Sequence, residues 1–448
     1  MGNPRQWAGY LGLLVAHGAV GCGSGVSGPG LPSDPVTPGT VTEAKSDLAR
    51  SAPDASPDRV AARVAGDTAF AVDLYRKVGE GPAAHQNLFF SPFSISVALG
   101  MLYAGANGTT KTEMQKVLHF DQSDADVASS FNTLGQALAS RGANATGTKG
   151  QPFRLASANA LWGQDGQAFL DPYLDVLAAN YGAGVNLVDF MRDTEAARHT
   201  INDWVSDRTE QKIPELLSSD DLSPDVRFVL TNAVYFNAAW AKPFEKQATQ
   251  DGTFTLADGT PASVPLMREG LSTRYAEGGG WKATELPYSG GEVSMLLVLP
   301  DSGTFDTFQS GFDAATLAGI GAALQASSTV EVALTLPRFE VRTPLSLRQV
   351  LTALGMPTAF SGGADLSGID GTRELLISDV IHEAFAKIDE EGTEAAAATA
   401  VIGVGSSAPL NPPPEPKHFD VRQPFLFGIR DNATGALLFM GQITDPRG

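Results

Sequence analysis

Few residues of this chain are spaced for catalysis. A nucleophilic serine needs a base and an orienting group within hydrogen-bond reach. Gly403-Val-Gly-Ser-Ser407 carries its serine one place late for the Gly-x-Ser-x-Gly turn that presents such a nucleophile. The six histidines are scattered and show no zinc spacing. Asp389-Glu390-Glu391 gathers carboxylates of the kind that bind cations, but the run reads as a solvated acidic turn. No metal, no cofactor and no enzymatic activity are expected. The most informative stretch is Asp389–Ala400, Asp-Glu-Glu-Gly-Thr-Glu-Ala-Ala-Ala-Ala-Thr-Ala. It follows a strand-like run, Val380–Ile388, and leads into a Gly/Ser/Pro-rich segment ending near Pro416. The tract can be loop, helix or strand, and nothing large stops it from slipping between two other strands. A function that depends on refolding, rather than on catalytic groups, is the expectation.

The elements around this tract alternate. Helical spacing runs over Ala61–Val78. Ser91 and Pro92 open a second helix over Phe93–Ala104, as N-cap and first-turn proline. Further helices are expected at Thr110–Leu118, Pro172–Tyr181, Glu195–Gln211 and Leu345–Leu354. Strands are expected at Ala156–Trp162, Val185–Asp189, Phe228–Phe236, Met295–Leu299, Val330–Leu336 and Ile377–Ile388. Early helices followed by many strands indicate an α+β domain.

The chain has 448 residues, 43% of them apolar, enough for a sizeable core. Its net charge of −19 opposes binding to nucleic acid and anionic membrane surfaces. The single cysteine, Cys22, excludes an internal disulfide. Residues 1–21 carry Arg5, an apolar run over Trp7–Ala16, then Ala19-Val-Gly-Cys22. This resembles a bacterial lipoprotein signal, with Cys22 as the lipidated residue; a secretory signal cleaved nearby is the alternative. Either reading implies an exported protein, on the outer membrane or extracellular. Residues 22–58 are rich in Gly, Ser, Pro, Thr and Asp and read as a disordered tether. Residues 59–448 read as one domain.

Several stretches resemble signatures of the serpin family: Asn87-Leu-Phe-Phe-Ser-Pro-Phe-Ser94, Leu230-Thr-Asn-Ala-Val-Tyr-Phe236 with Trp240, Ala364-Asp-Leu-Ser-Gly-Ile369, His382–Ala398, and Pro424-Phe-Leu-Phe427 with Phe439-Met-Gly441. The resemblance spans about Arg59 to Pro446. It implies three β-sheets, about nine helices and an exposed reactive-centre loop, here about 390–416. It also implies a suicide inhibitor. A target serine protease cleaves the loop, and the acyl-enzyme is trapped when the loop enters the central sheet as a new strand.

Physically, a new strand gains roughly 1 kcal/mol net per well-made hydrogen bond. Alternation puts Thr393, Ala395, Ala397, Thr399 and Val401 on one face, all small or β-branched. Glu394 falls on the other, with Ala396 and Ala398. Gly392 supplies backbone freedom. By the resemblance, Glu390, Gly392 and Thr393 to Ala398 form the hinge. Counting seventeen residues from Glu390 puts the reactive bond at Ser406–Ser407, with Gly405 and Ala408 as one-residue slack. A small residue before the bond suits elastase- or subtilisin-like proteases; Val404 and Gly405 would also suit a papain-like cysteine protease. A non-inhibitory binding or structural protein is the alternative. The resemblance further assigns Ser91, Ser94, Asn232 and His382 to a shutter beneath the sheet opening, and Trp240, Arg338 and Glu390 to the breach above it. Between Asp121 and Gln151 only Arg141 and Lys149 are basic, so no heparin-type activator is expected. The protein is expected to act as a monomer.

Overall fold

The computed structural model describes residues 41–147, 153–393 and 415–448. The signal and Cys22, the hinge from Glu394 to Ala398, and Ser406–Ser407 with Gly405 and Ala408 lie outside the described residues.

Sixteen strands are present among the described residues. In chain order they are β1 (Thr42–Ala44), β2 (Leu88–Phe90), β3 (Arg154–Gln164), β4 (Val185–Val188), β5 (Phe228–Ala239), β6 (Gln250–Thr255), β7 (Pro261–Gly278) and β8 (Trp281–Pro287). Then follow β9 (Val293–Pro300), β10 (Thr329–Pro337), β11 (Phe339–Ser346), β12 (Val380–Ile388), β13 (Gly392–Thr393), β14 (Lys417–Asp420), β15 (Phe425–Asp431) and β16 (Leu437–Ile443). The helices that matter here are α1 (Pro57–Val78), α2 (Pro92–Tyr103), α3 (Gly108–Val117), α4 (Asp124–Ala139), α5 (Asp171–Val176) and α6 (Thr194–Arg208).

The central sheet runs β1-β4-β3-β5-β13-β12-β11. The remaining strands form one connected path joined by the 18-residue β7, which pairs with β6 and β10 along most of its length and with β8 at its end. One long strand thus serves two sheets, and the fold is α+β with three sheets, as the sequence led us to expect.

Sequence patterns account for the central elements. β5 is buried over its whole length except its last residue, because it lies between two apolar layers. Val234, Phe236 and Ala238 face a core that also holds Trp240, Tyr288, Phe427 and Phe439. Ala233 and Val229 face a separate core under α6, with Trp162, Ile201 and Val205. The start of α2 is set locally: the Ser91 side chain accepts from Ser94 N–H, and Pro92 occupies the first turn.

Three expectations need correction. Leu345 and Ser346 end β11, and the helix begins at Arg348. Residues 377–379 precede β12 rather than belonging to it. The third correction concerns 41–58, which are not a tether. β1 pairs antiparallel with β4, and α1 already starts at Pro57. Arg50 Nε donates to Asn132 Oδ1 on α4 at 2.9 Å, and Ser51 N–H donates to Ala179 O at 2.8 Å. The reason lies in the body, not in the segment. A Cβ on Gly184 would sit 2.5 Å from Ala44 O, and one on Gly135 3.0 Å from the Arg50 guanidinium. Glycines on the body leave a slot that the composition of residues 41–58 does not reveal.

Candidate functional site: the opening of the central sheet

β5 and β12 are adjacent and parallel over Leu230–Tyr235 and Val380–Phe385. Above that they part, and β13 enters between them. Thr393 is opposite Ile388 of β12 and Ala238 of β5, and Gly392 is opposite Ala239. The hinge residues Glu390, Gly392 and Thr393 are therefore buried. The sequence led us to expect an exposed loop from about 390; the structure begins inserting it at Gly392. Small, β-branched and glycine residues fit because two strands flank them closely.

The acidic turn is clamped by the segment after β5. Trp240 N–H donates to Glu391 O at 2.8 Å and Phe244 N–H to Glu390 O at 2.7 Å. Trp240 Nε1 donates to Asp389 O at 2.9 Å. The Glu390 and Glu391 carboxylates are buried and Asp389 is half-buried, which corrects the sequence reading of a solvated turn. Glu390 is 2% exposed; Arg338 Nε donates to both its oxygens at 2.8 and 2.9 Å, and Thr249 donates at 2.5 Å. Burial pushes the Glu390 carboxyl up, but the Arg338 guanidinium and the Thr249 hydroxyl overcome this and hold it below the ordinary range. Glu391 pairs with Lys246 at 2.5 Å. Burial raises Asp389. Two buried carboxylates thus hold the turn through Arg338 and Lys246. Arg338 and Trp240 stand where the breach was expected, while Lys246 and Thr249 went unnoticed because nothing in their local sequence points to residue 390.

Below the breach, the four expected shutter residues meet. Ser91 N–H donates to His382 Nε2 at 3.2 Å, so that nitrogen must be an acceptor. The proton then sits on Nδ1, which donates to Asn232 Oδ1 at 2.5 Å. Burial drives His382 down to about 3, consistent with a neutral ring. Asn232 Nδ2 donates to Ser94 Oγ at 2.8 Å, and Ser91 Oγ donates to Leu438 O at 2.7 Å. Two further members are Asn159 and Ser157 of β3. Asn159 Oδ1 accepts from Ser94 Oγ at 2.7 Å and from Asn232 Nδ2 at 2.5 Å, and Ser157 Oγ lies 2.8 Å from Ser94 Oγ. Their period-two spacing on one strand face was the available signal. The network ties α2 to β3, β5 and β12. Its members are short polar groups that can exchange partners, so strands can separate without abandoning buried polar atoms.

Comparisons with known proteins identify the family and the fold. The sequence profile of the family described as Serpin (serine protease inhibitor) matches residues 65–446. The leukocyte elastase inhibitor of Xenopus tropicalis is 37% identical over 384 residues, covering 85% of this chain and 98% of that protein. Human serpin B3 is 36% identical over 398 residues, with 85% and 98% covered. Among solved structures, the thermophilic serpin tengpin in its native state superposes with a TM-score of 0.74 at 26% identity, covering 85% of this chain and 94% of that one. The chain belongs to the serpin family, whose members are protease inhibitors rather than enzymes.

Proposed function

We propose that this chain inhibits serine proteases as a suicide substrate. The protease serine attacks the carbonyl of Ser406, the Ser406–Ser407 amide bond breaks, and the Ser407 amine departs. The ester left between Ser406 and the protease would normally be hydrolysed by water. The freed hinge instead continues upward-to-downward insertion between β5 and β12 and carries the protease with it. The observation that carries this reading is Thr393, fully buried in the gap between those strands while 230–235 and 380–385 remain paired below. The sheet is open at one end and closed at the other, and past Glu394 the next four residues in line are alanines.

The target class follows from Ser406: a small residue suits a shallow specificity pocket. Relatives named as leukocyte elastase inhibitors support an elastase-like target. The test is to mix the full chain with pancreatic elastase and run a denaturing gel. An SDS-resistant adduct is the expected result. Loop cleavage with no adduct would reduce the protein to a substrate and favour the non-inhibitory reading. An adduct only with papain would move the target to cysteine proteases.

We further propose that the protein is exported from a bacterial cell, is anchored through a lipid on Cys22, and acts as a monomer. The apolar run followed by Ala19-Val-Gly-Cys22 supports the anchor. Cys22→Ala should shift the protein from the membrane to the soluble fraction; unchanged partitioning would refute lipidation.

A further inference from the structure

We infer that the Tyr288 hydroxyl is a latch that seats the first rung of the inserting strand, by pairing with Thr393, before any cleavage occurs. The two hydroxyl oxygens are 2.8 Å apart, and both residues are fully buried. Tyr288 follows β8 and bridges to Trp240. Its ring stacks on Trp240, with centroids 4.5 Å apart, and meets Phe236 edge-on at 5.1 Å. Gripped on these sides, the phenol cannot swing to another partner. Among the described residues, Thr393 is the only hydrogen-bond partner of this hydroxyl.

The consequence is a preference for where the hinge rests. With Thr393 withdrawn, a fixed and buried tyrosine hydroxyl is left unpartnered, which is costly. With Thr393 seated, both hydroxyls are satisfied and the threonine methyl joins the apolar gap. Tyr288 is thus a positioning residue: it touches no scissile atom, but it keeps the sheet top open around a seated hinge. Insertion after cleavage then starts from an existing rung, which favours trapping over hydrolysis. This last consequence rests on the inhibitory reading above; the resting place of the hinge does not.

The logic of a buried pair supplies the test. Removing one partner strands the other, whereas removing both can be nearly neutral. The full chain would be compared with Tyr288→Phe, Thr393→Val, the double variant and Thr393→Ser. Amide hydrogen exchange across Gly392–Thr393 reports hinge seating, and inhibitor molecules consumed per elastase trapped report partitioning. Each single variant should lose about tenfold in protection at the hinge, with several-fold more inhibitor consumed. The double variant and Thr393→Ser should return to within about threefold of the parent. Unchanged protection in Thr393→Val, which leaves the Tyr288 core intact, would overturn the latch. So would additive losses in the double variant. If the parent traps no elastase while the exchange pattern holds, the inhibitory reading fails and the latch stands.

Discussion

Thr393→Arg should abolish trapping and leave a chain that elastase cuts and releases. Thr393 has no exposed surface and sits between β5 and β12, its hydroxyl 2.8 Å from that of Tyr288. An arginine here has two courses. It can bury a guanidinium beside the Tyr288 phenol, which carries no countercharge, or it can keep the hinge out of the sheet. An uncompensated buried charge costs about 3–5 kcal/mol, so the second course wins. Cleavage is unaffected, because Ser406–Ser407 is thirteen residues further on. Insertion, however, loses its first rung, and water reaches the ester first. The expected readout is complete loop cleavage with an SDS-resistant adduct reduced by about tenfold or more. Full adduct formation by Thr393→Arg would sink the insertion mechanism, whereas no adduct from the parent would sink the inhibitory reading itself.

Acidification should destabilise the protein through the shutter, and His382→Gln should blunt the effect. In the folded chain burial holds His382 at about 3, whereas an unfolded histidine titrates near 6.5. Between those values the unfolded chain takes up a proton that the folded chain refuses. The stability linked to this neutral ring is therefore complete above about pH 6.5, and is lost progressively as the pH falls toward about 3. The loss is on the order of a few kcal/mol. Geometry gives the same sign. A second ring proton on Nε2 would point at Ser91 N–H, which has no lone pair to accept it. Asp67 works in the opposite direction: burial raises its carboxyl to about 6, so the folded state gains relative stability as the pH falls from about 6 to about 4. The comparison must therefore be between variants. A glutamine at 382 can still accept from Ser91 and donate to Asn232, and it does not titrate. Unfolding free energies from denaturant titrations at pH 7 and pH 4.5 should fall more steeply for the parent than for His382→Gln. Equal slopes would show that the shutter histidine does not govern acid stability.

Both predictions depend on features that differ in how they can be read. The Ser91–Pro92 helix start was legible because cap and proline act within one turn. The face of Thr393 was read from strand alternation, which is local; in the structure both Gly392 and Thr393 are buried, and the alternating residues after Thr393 lie outside the described residues. Four members of the polar network beneath the gap, Ser91, Ser94, Asn232 and His382, were grouped through the family resemblance, and the structure brings them together, while Asn159 and Ser157 left only a period-two trace. The bond at Ser406–Ser407 lies outside the described residues, so its placement still rests on counting from Glu390.

What went unread shares one cause. Tyr288 meets Thr393 across 105 residues of chain, and Lys246 meets Glu391 across 145. Composition took Asp389-Glu390-Glu391 for a solvated turn, because charge alone carries no information about a distant Arg338. It took 41–58 for a tether, because the slot that holds them is made by Gly135, Gly182 and Gly184. By itself, then, the sequence determined the character of the tract: small or β-branched and uncharged on one face, and free of proline. Only the tertiary structure decided how far it has already entered the sheet. That is set by which distant donors, acids and bases topology places around the gap, and no local period encodes it.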